Sequence, residues 1–210
     1  ELTYRVICGT DSEEIPVSLE GNSDSFRMKL SFLPNGNCVI LPNINGRGYG
    51  FFKITEGESS GLWSVLRSSE DEVLKGSLLI TLYENLRWKT ISPQGFREEM
   101  LAYLPNESNS LLFSMALSYL GDCQRIFPSD SRPLEQVLWK IVTTNPVSQH
   151  RLQAFRLYRS IADSEEAVQR LYTLWQERKA PKDCTLSESD YIGLSYMLAM
   201  HLPAKADKVI

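Results

Sequence analysis

The chain has 210 residues, with 22 Lys plus Arg against 26 Asp plus Glu, a formal net charge of −4, and 42% apolar content. Those proportions are ordinary for a folded protein, and they exclude a disordered chain or a basic, sequence-independent nucleic-acid binder. No apolar run approaches the roughly 18 residues that span a bilayer, and the length allows one domain or two.

The first residues, Glu1-Leu2-Thr3-Tyr4-Arg5, have neither the basic nor the apolar stretch of a secretion leader. A start without Met is read as an expectation of a processed protein or an excised piece. Tyr4, Val6 and Cys8 alternate with Arg5, Ile7 and Gly9, which predicts a strand. Ile15-Pro16-Val17-Ser18-Leu19 predicts a second. Phe26, Met28, Leu30 and Phe32 alternate with Arg27, Lys29 and Ser31 and predict a third. Leu33-Pro34-Asn35-Gly36-Asn37 is a predicted turn, followed by a strand at Cys38-Val39-Ile40-Leu41. Pro42-Asn43-Ile44-Asn45-Gly46 turns again, and Tyr49 to Ile54 reads as a last strand. Eight of the 12 glycines fall in residues 1–61. Short strands between turns predict part of an antiparallel β-sandwich over residues 1–57.

From about Ser59 the apolar period becomes helical. Leu74, Leu78, Leu82 and Leu86 form one stripe, widened by Val73, Leu79 and Tyr83. Phe96, Met100 and Leu104 mark a shorter helix, capped by Ser92 with Pro93 in its first position. Leu112, Met115, Tyr119, Cys123 and Ile126 make the next stripe. Pro133 opens a helix carrying Leu134, Val137, Leu138, Ile141 and Val142, and Asn145-Pro146 ends it. Leu152, Phe155 and Ile161 follow. Val168, Leu171, Leu174 and Trp175 come behind the cap Ser164. Ser187 and Asp190 start the last helix, with Tyr191, Leu194 and Leu198 on its face. About seven helices with short connections predict packed antiparallel neighbours over residues 58–210. The expected fold class is therefore α+β and mostly α: a small antiparallel β-sandwich-like part, then an antiparallel helical array resembling an α-solenoid.

Catalytic parts are few. Cys8, Cys38, Cys123 and Cys184 lie 30, 85 and 61 residues apart, without Cys-x-x-Cys spacing, and are expected to be buried or half-buried free thiols. His150 and His201 lack the His-Glu-x-x-His spacing of a helical zinc site. A satisfied or surface role is expected for His150, and a helix-end role for His201. Gly46-Arg47-Gly48-Tyr49-Gly50 has Phe51 where a dinucleotide loop needs glycine, so it reads as a hairpin or bulge. Glu13-Glu14, Glu98-Glu99 and Glu165-Glu166 are adjacent in sequence and do not share a helical face. Arg151, Arg156 and Arg159 with Tyr158 form a modest basic stretch, expected to be a solvated face. Asn106-Glu107-Ser108 fits the glycosylation pattern. The residues alone assign no catalytic, cofactor-binding or metal-binding position.

One resemblance adds to this. The segment Leu41-Pro42-Asn43-Ile44-Asn45-Gly46-Arg47-Gly48-Tyr49-Gly50-Phe51-Phe52 runs into Glu72-Val73-Leu74-Lys75-Gly76-Ser77-Leu78-Leu79 and Leu82-Tyr83-Glu84-Asn85-Leu86. Ile91-Ser92-Pro93 and Tyr103-Leu104-Pro105-Asn106-Glu107-Ser108-Asn109 follow. Together they resemble the C-terminal part of aminopeptidase N-like zinc metallopeptidases, the gluzincin aminopeptidases. Tyr49-Gly50-Phe51 stands where a Tyr-Tyr-Arg ending is commoner. Leu186 to Tyr191 through Leu202 to Ala206 is similar to a helix within that family's array, so the chain is expected to stop before the array is complete. The resemblance implies a non-catalytic C-terminal fragment that covers the catalytic domain and walls a peptide cavity. It implies no cofactor in the fragment and zinc in an upstream domain. The implied partners are that catalytic domain and the peptide substrate, with no nucleic acid and no membrane span. The alternative is an independent helical-repeat module that binds a protein or peptide.

Overall fold

The structure, a computed structural model, describes residues 2–18, 27, 29–34, 38–48 and 50–209. Strand β1 (Leu2–Cys8) lies between β2 (Asp11–Val17) and β3 (Cys38–Leu41) in an antiparallel sheet of order β2-β1-β3. The register sets Leu2 opposite Val17, and Arg5 opposite both Glu14 and Leu41. Val6 and Cys8 are buried with Val17 and Leu41, as strand alternation requires. Pro16 has no N–H for a ladder, and it falls in the edge strand β2, where that loss is tolerated. Arg5 Nε donates to Glu14 Oε1 at 3.2 Å across the pair.

The expectation of free cysteines fails for two of the four. Cys8 and Cys38 are directly opposed in the β1–β3 ladder and form a disulfide, with a Cα–Cα distance of 4.3 Å. That spacing is the close approach of a non-hydrogen-bonded antiparallel pair, where side chains meet. Cys123 and Cys184 are buried and lie outside any disulfide.

Two strand expectations also need correction. Residues 50–54 form no strand. Instead, Ile54 N donates to Asn85 Oδ1 at 2.9 Å, and Phe52 O accepts from Asn85 Nδ2 at 2.8 Å. One buried side chain supplies the donor and acceptor that a neighbouring strand would have offered. Tyr49 lies outside the described residues. Of the Phe26–Phe32 segment, residues 29–32 form no strand. Ser31 is held by the Glu13 carboxylate, through its N–H at 2.7 Å and its hydroxyl at 2.9 Å. Phe26 and Met28 lie outside the described residues.

The glycine-rich segment is a clasped loop. Asn43 Oδ1 accepts from Gly48 N at 2.7 Å, and Asn43 Nδ2 donates to Gly48 O at 3.0 Å. A Cβ at position 48 would lie 1.9 Å from Leu2 Cδ2 and 2.9 Å from Asn43 Oδ1, so any larger residue there requires those side chains to shift.

Among the described residues nine α-helices follow. They are α1 (Glu56–Ser68), α2 (Glu72–Arg87), α3 (Pro93–Tyr103), α4 (Ser110–Ile126), α5 (Arg132–Thr144), α6 (Ser148–Ile161), α7 (Glu165–Glu177), α8 (Glu188–His201) and α9 (Ala206–Val209). Thr55 with Glu58, and Ser187 with Asp190, close capping boxes on α1 and α8. Asp71, Asn109 and Ser164 cap α2, α4 and α7 through their side chains. Ser92 Oγ accepts from Gly95 N at the start of α3. The leucine stripe of α2 is buried as its spacing predicts, while Val73 is exposed. On α4 the buried face runs through Leu112, Phe113, Ala116, Leu117, Leu120 and Cys123, not through Met115, Tyr119 and Ile126. Ser110, Ser114, Ser118, Asp122 and Arg125 recur at helical spacing on the opposite side, and Met115, Tyr119 and Ile126 border that polar side. On α8, Leu194 and Leu198 turn inward, whereas Ile192, Tyr196 and Met200 are exposed.

Packing divides the chain into two units, Glu1–Glu99 and Met100–Ile210. The change of texture near residue 57 falls inside the first unit, because α1 packs on both β3 and α2. In the second unit α6 packs on α4, α5 and α8, and α7 packs on α8. Helices α4, α6 and α8 thus touch in succession, as one layer of a helical solenoid does. The fold class is α+β, mostly α. Among the described residues no helix is long and apolar enough to cross a membrane.

Candidate functional site

The polar interior of the second unit holds most of the residues that carry chemistry. His150, on α6, is fully buried; His201, at the end of α8, is exposed. The His150 ring stacks on Phe113 with centroids 4.0 Å apart and planes 6° apart. Its Nε2 lies 3.0 Å from Ser110 Oγ. Its Nδ1 is buried with no hydrogen-bond partner among the described residues. Burial lowers the pKa of His150, and the nearby Glu107 charge opposes that shift. A neutral imidazole fits this setting.

Glu107 is itself buried. It accepts from the Tyr103 hydroxyl and from Asn109 N, the latter at 2.7 Å. Burial first, and then the Glu107 carboxylate, push the Tyr103 hydroxyl far above its ordinary pKa. A serine beside a histidine suggests an activated nucleophile, but that arrangement needs a third group orienting the imidazole. No described group bonds to Nδ1. The cluster joins the start of α4 to α6 as a structural contact.

The basic stretch of α6 is engaged within the unit. Arg156 Nε and Nη2 donate to Asp190 Oδ1 and Oδ2 at 2.9 and 3.2 Å. Arg159 Nη1 donates to Asp190 O at 2.9 Å, and Arg151 Nη1 to Asp183 Oδ2 at 2.9 Å. Tyr158 Oη accepts from Arg170 Nη1 at 2.9 Å. The stretch is therefore a set of ties to α8, the segment before it, and α7, not a solvated face. Hydrogen bonds from Arg156, aided by Ser187 and opposed by burial, hold Asp190 well below the usual carboxylate range.

Glu135, on α5, was not singled out by sequence reasoning. It accepts from Ser131 Oγ at 2.9 Å, Asp163 N at 2.8 Å and Ser164 N at 3.1 Å, and also from the Ser164 hydroxyl. Burial pushes its carboxyl up, yet these bonds outweigh that and hold it below its ordinary pKa. Its partners on the α7 side are 28 and 29 residues away, so no local pattern announces them. The acidic pairs are likewise separated: Glu166 pairs with Arg170 on α7, Glu99 with Arg67, and Glu14 with Arg5.

Between α5 and the start of α7 runs an open groove of about 580 Å³. Its walls include Arg132, Trp139, Lys140, Glu165, Glu166 and Arg170. The Arg170 guanidinium lies 4.6 Å from the centre of the Trp139 ring. The groove falls within the size range of small-ligand sites, and it carries both signs of charge beside an aromatic face. Among the described residues no three His, Cys, Asp or Glu side chains gather in a way that could hold a metal ion. Comparison with known protein families, with curated proteins and with solved structures found no match to the chain.

Proposed function

We propose that this chain is the non-catalytic C-terminal region of an aminopeptidase N-like zinc peptidase, covering its catalytic domain and walling the peptide cavity. The observation that carries the reading is the order of elements. A small antiparallel sheet ends in a clasped Gly46–Gly48 loop and passes into capped helices, the later ones packed in succession. The segments that carry the resemblance fall at that loop, along α2 and at the corner between α3 and α4. The mixed-charge groove between α5 and α7 supports a surface that meets peptide, since peptide offers both signs of charge and apolar side chains. In this reading the zinc, the general base and the amine-binding groups belong to a domain encoded upstream, and the helices limit access to it and exclude water.

The test is the gene sequence that precedes Glu1. A His-Glu-x-x-His domain in the same reading frame is the expected result. A gene without such a domain would contradict the reading and favour an independent peptide-binding module.

A further inference from the structure

The two halves of the Cys8–Cys38 disulfide differ in access. Cys8 is 1% exposed, whereas Cys38, the first residue of β3, is exposed. Strand β3 has 4 residues and lies at the edge of the sheet, paired with β1 alone among the described residues. Its far end is anchored without the disulfide. Leu41 is fully buried, Ile44 N donates to Thr3 O at 3.0 Å, and Asn45 Nδ2 donates to Thr3 Oγ1 at 2.8 Å. Midway along β3, Val39 lies against α1, where a Cβ at Gly61 would come within 2.7 Å of Val39 Cγ2. The start of β3 is held by the disulfide and by the ladder to β1.

A disulfide is opened by a thiolate that attacks one sulfur and expels the other, so access decides which sulfur is attacked. Here access favours Cys38. Cys123 and Cys184 are buried and outside any disulfide, and buried cysteines of that kind are inert, so they offer no competing entry.

We propose that Cys38 is a thiol–disulfide exchange site, at which an external dithiol opens the start of β3 and the oxidised form of that dithiol closes it. In opening, a thiolate of the dithiol bonds to Cys38 Sγ. The bond between the Cys8 and Cys38 sulfurs breaks, and Cys8 leaves as a thiolate that takes up a proton. The second thiol of the dithiol then attacks the first, forming its own disulfide and releasing Cys38. The dithiol gives up two electrons and two protons, which Cys8 and Cys38 hold as thiols. Closing runs the same steps in reverse. The change is local, because the Leu41 end of β3 keeps its burial and the bonds that follow it to Thr3. Oxidising surroundings keep the strand fastened, and a thiol-rich compartment releases it. This inference does not rest on the aminopeptidase reading and survives its failure.

The test starts from the folded, oxidised chain, treated briefly with reduced glutathione, whose single thiol stops at the first step. Acid quenching, alkylation of the thiols and peptide mass mapping then locate the adduct. Glutathione on Cys38 with Cys8 alkylated should exceed the reverse pattern about tenfold or more, at a rate that urea below the unfolding transition leaves unchanged. Hydrogen exchange after full reduction with dithiothreitol reads the opening. Val39 and Leu41 fall in the alternate, hydrogen-bonded pairs of the ladder, opposite Ile7 and Arg5. Val39 should lose about tenfold or more protection beyond any loss at Leu41. Glutathione found on Cys8, or shared equally, would overturn the proposal. So would a reaction that appears only where urea unfolds the chain, or equal loss of protection at Val39 and Leu41.

Discussion

Asn85 offers the sharpest test of how the first unit is built. It is fully buried and joins four neighbours. It accepts from Ile54 N at 2.9 Å and Thr90 Oγ1 at 2.6 Å, and it donates to Phe52 O and Thr81 O at 2.8 Å each. Replacement by Ala leaves Ile54 N buried without an acceptor and Phe52 O without its donor. An orphaned buried backbone group costs about 1–3 kcal/mol, and a half-buried one that can reach water costs less. The expected loss is about 2–4 kcal/mol in urea unfolding. Hydrogen exchange should locate it, with amides of residues 50–54 exposed and those of the second unit unchanged. Asn85→Asp keeps the shape and the oxygen that accepts from Ile54 N and Thr90 Oγ1, but turns a second carboxylate oxygen toward the Phe52 and Thr81 carbonyls. It should cost at least as much at neutral pH. A loss below about 1 kcal/mol for Asn85→Ala, or native stability for Asn85→Asp, would refute the reasoning.

Three further outcomes follow from the same physical chemistry. Reduction of the Cys8–Cys38 disulfide, or Cys8→Ser, removes a cross-link spanning 30 residues and should cost about 3.5 kcal/mol by chain entropy, read as a lower urea midpoint. His150 is held neutral, with its folded pKa below the unfolded value, so its contribution is present above about pH 6.5 and is lost as pH falls through the folded value. His150→Gln should flatten the stability profile between about pH 5 and 7, and an unchanged slope would count against the buried neutral ring. Asp190 is also lowered, so its contribution is present above about pH 4 and is lost only below that. Asp190→Asn should destabilise by about 1–3 kcal/mol at pH 7, and the difference from native should shrink in acid.

Features set by neighbouring residues were legible from the chain itself. Ser92, Ser164 and the Ser187–Asp190 box act within one helical turn, so their spacing alone announces them. The leucines of α2 were readable because polar residues interrupt them at a helical period. Helix α4 was readable as a helix, and its polar side of Ser114, Ser118, Asp122 and Arg125 marks the outward face, so a stripe through Met115, Tyr119 and Ile126 sits at the border of the core and not at its centre. What escaped depends on partners distant in sequence. Residues 50–54 resemble a strand because their backbone is satisfied like one, by Asn85 more than 30 residues on. Cys8 meets Cys38 only through the β1–β3 register.

The central claim concerns what the chain belongs to, and the complete gene product tests it most directly. Zinc should be found at one ion per chain, bound outside residues 1–210, together with release of N-terminal amino acids from peptides. A complete gene product with neither zinc nor aminopeptidase activity, or stoichiometric zinc retained by residues 1–210 alone, would contradict it.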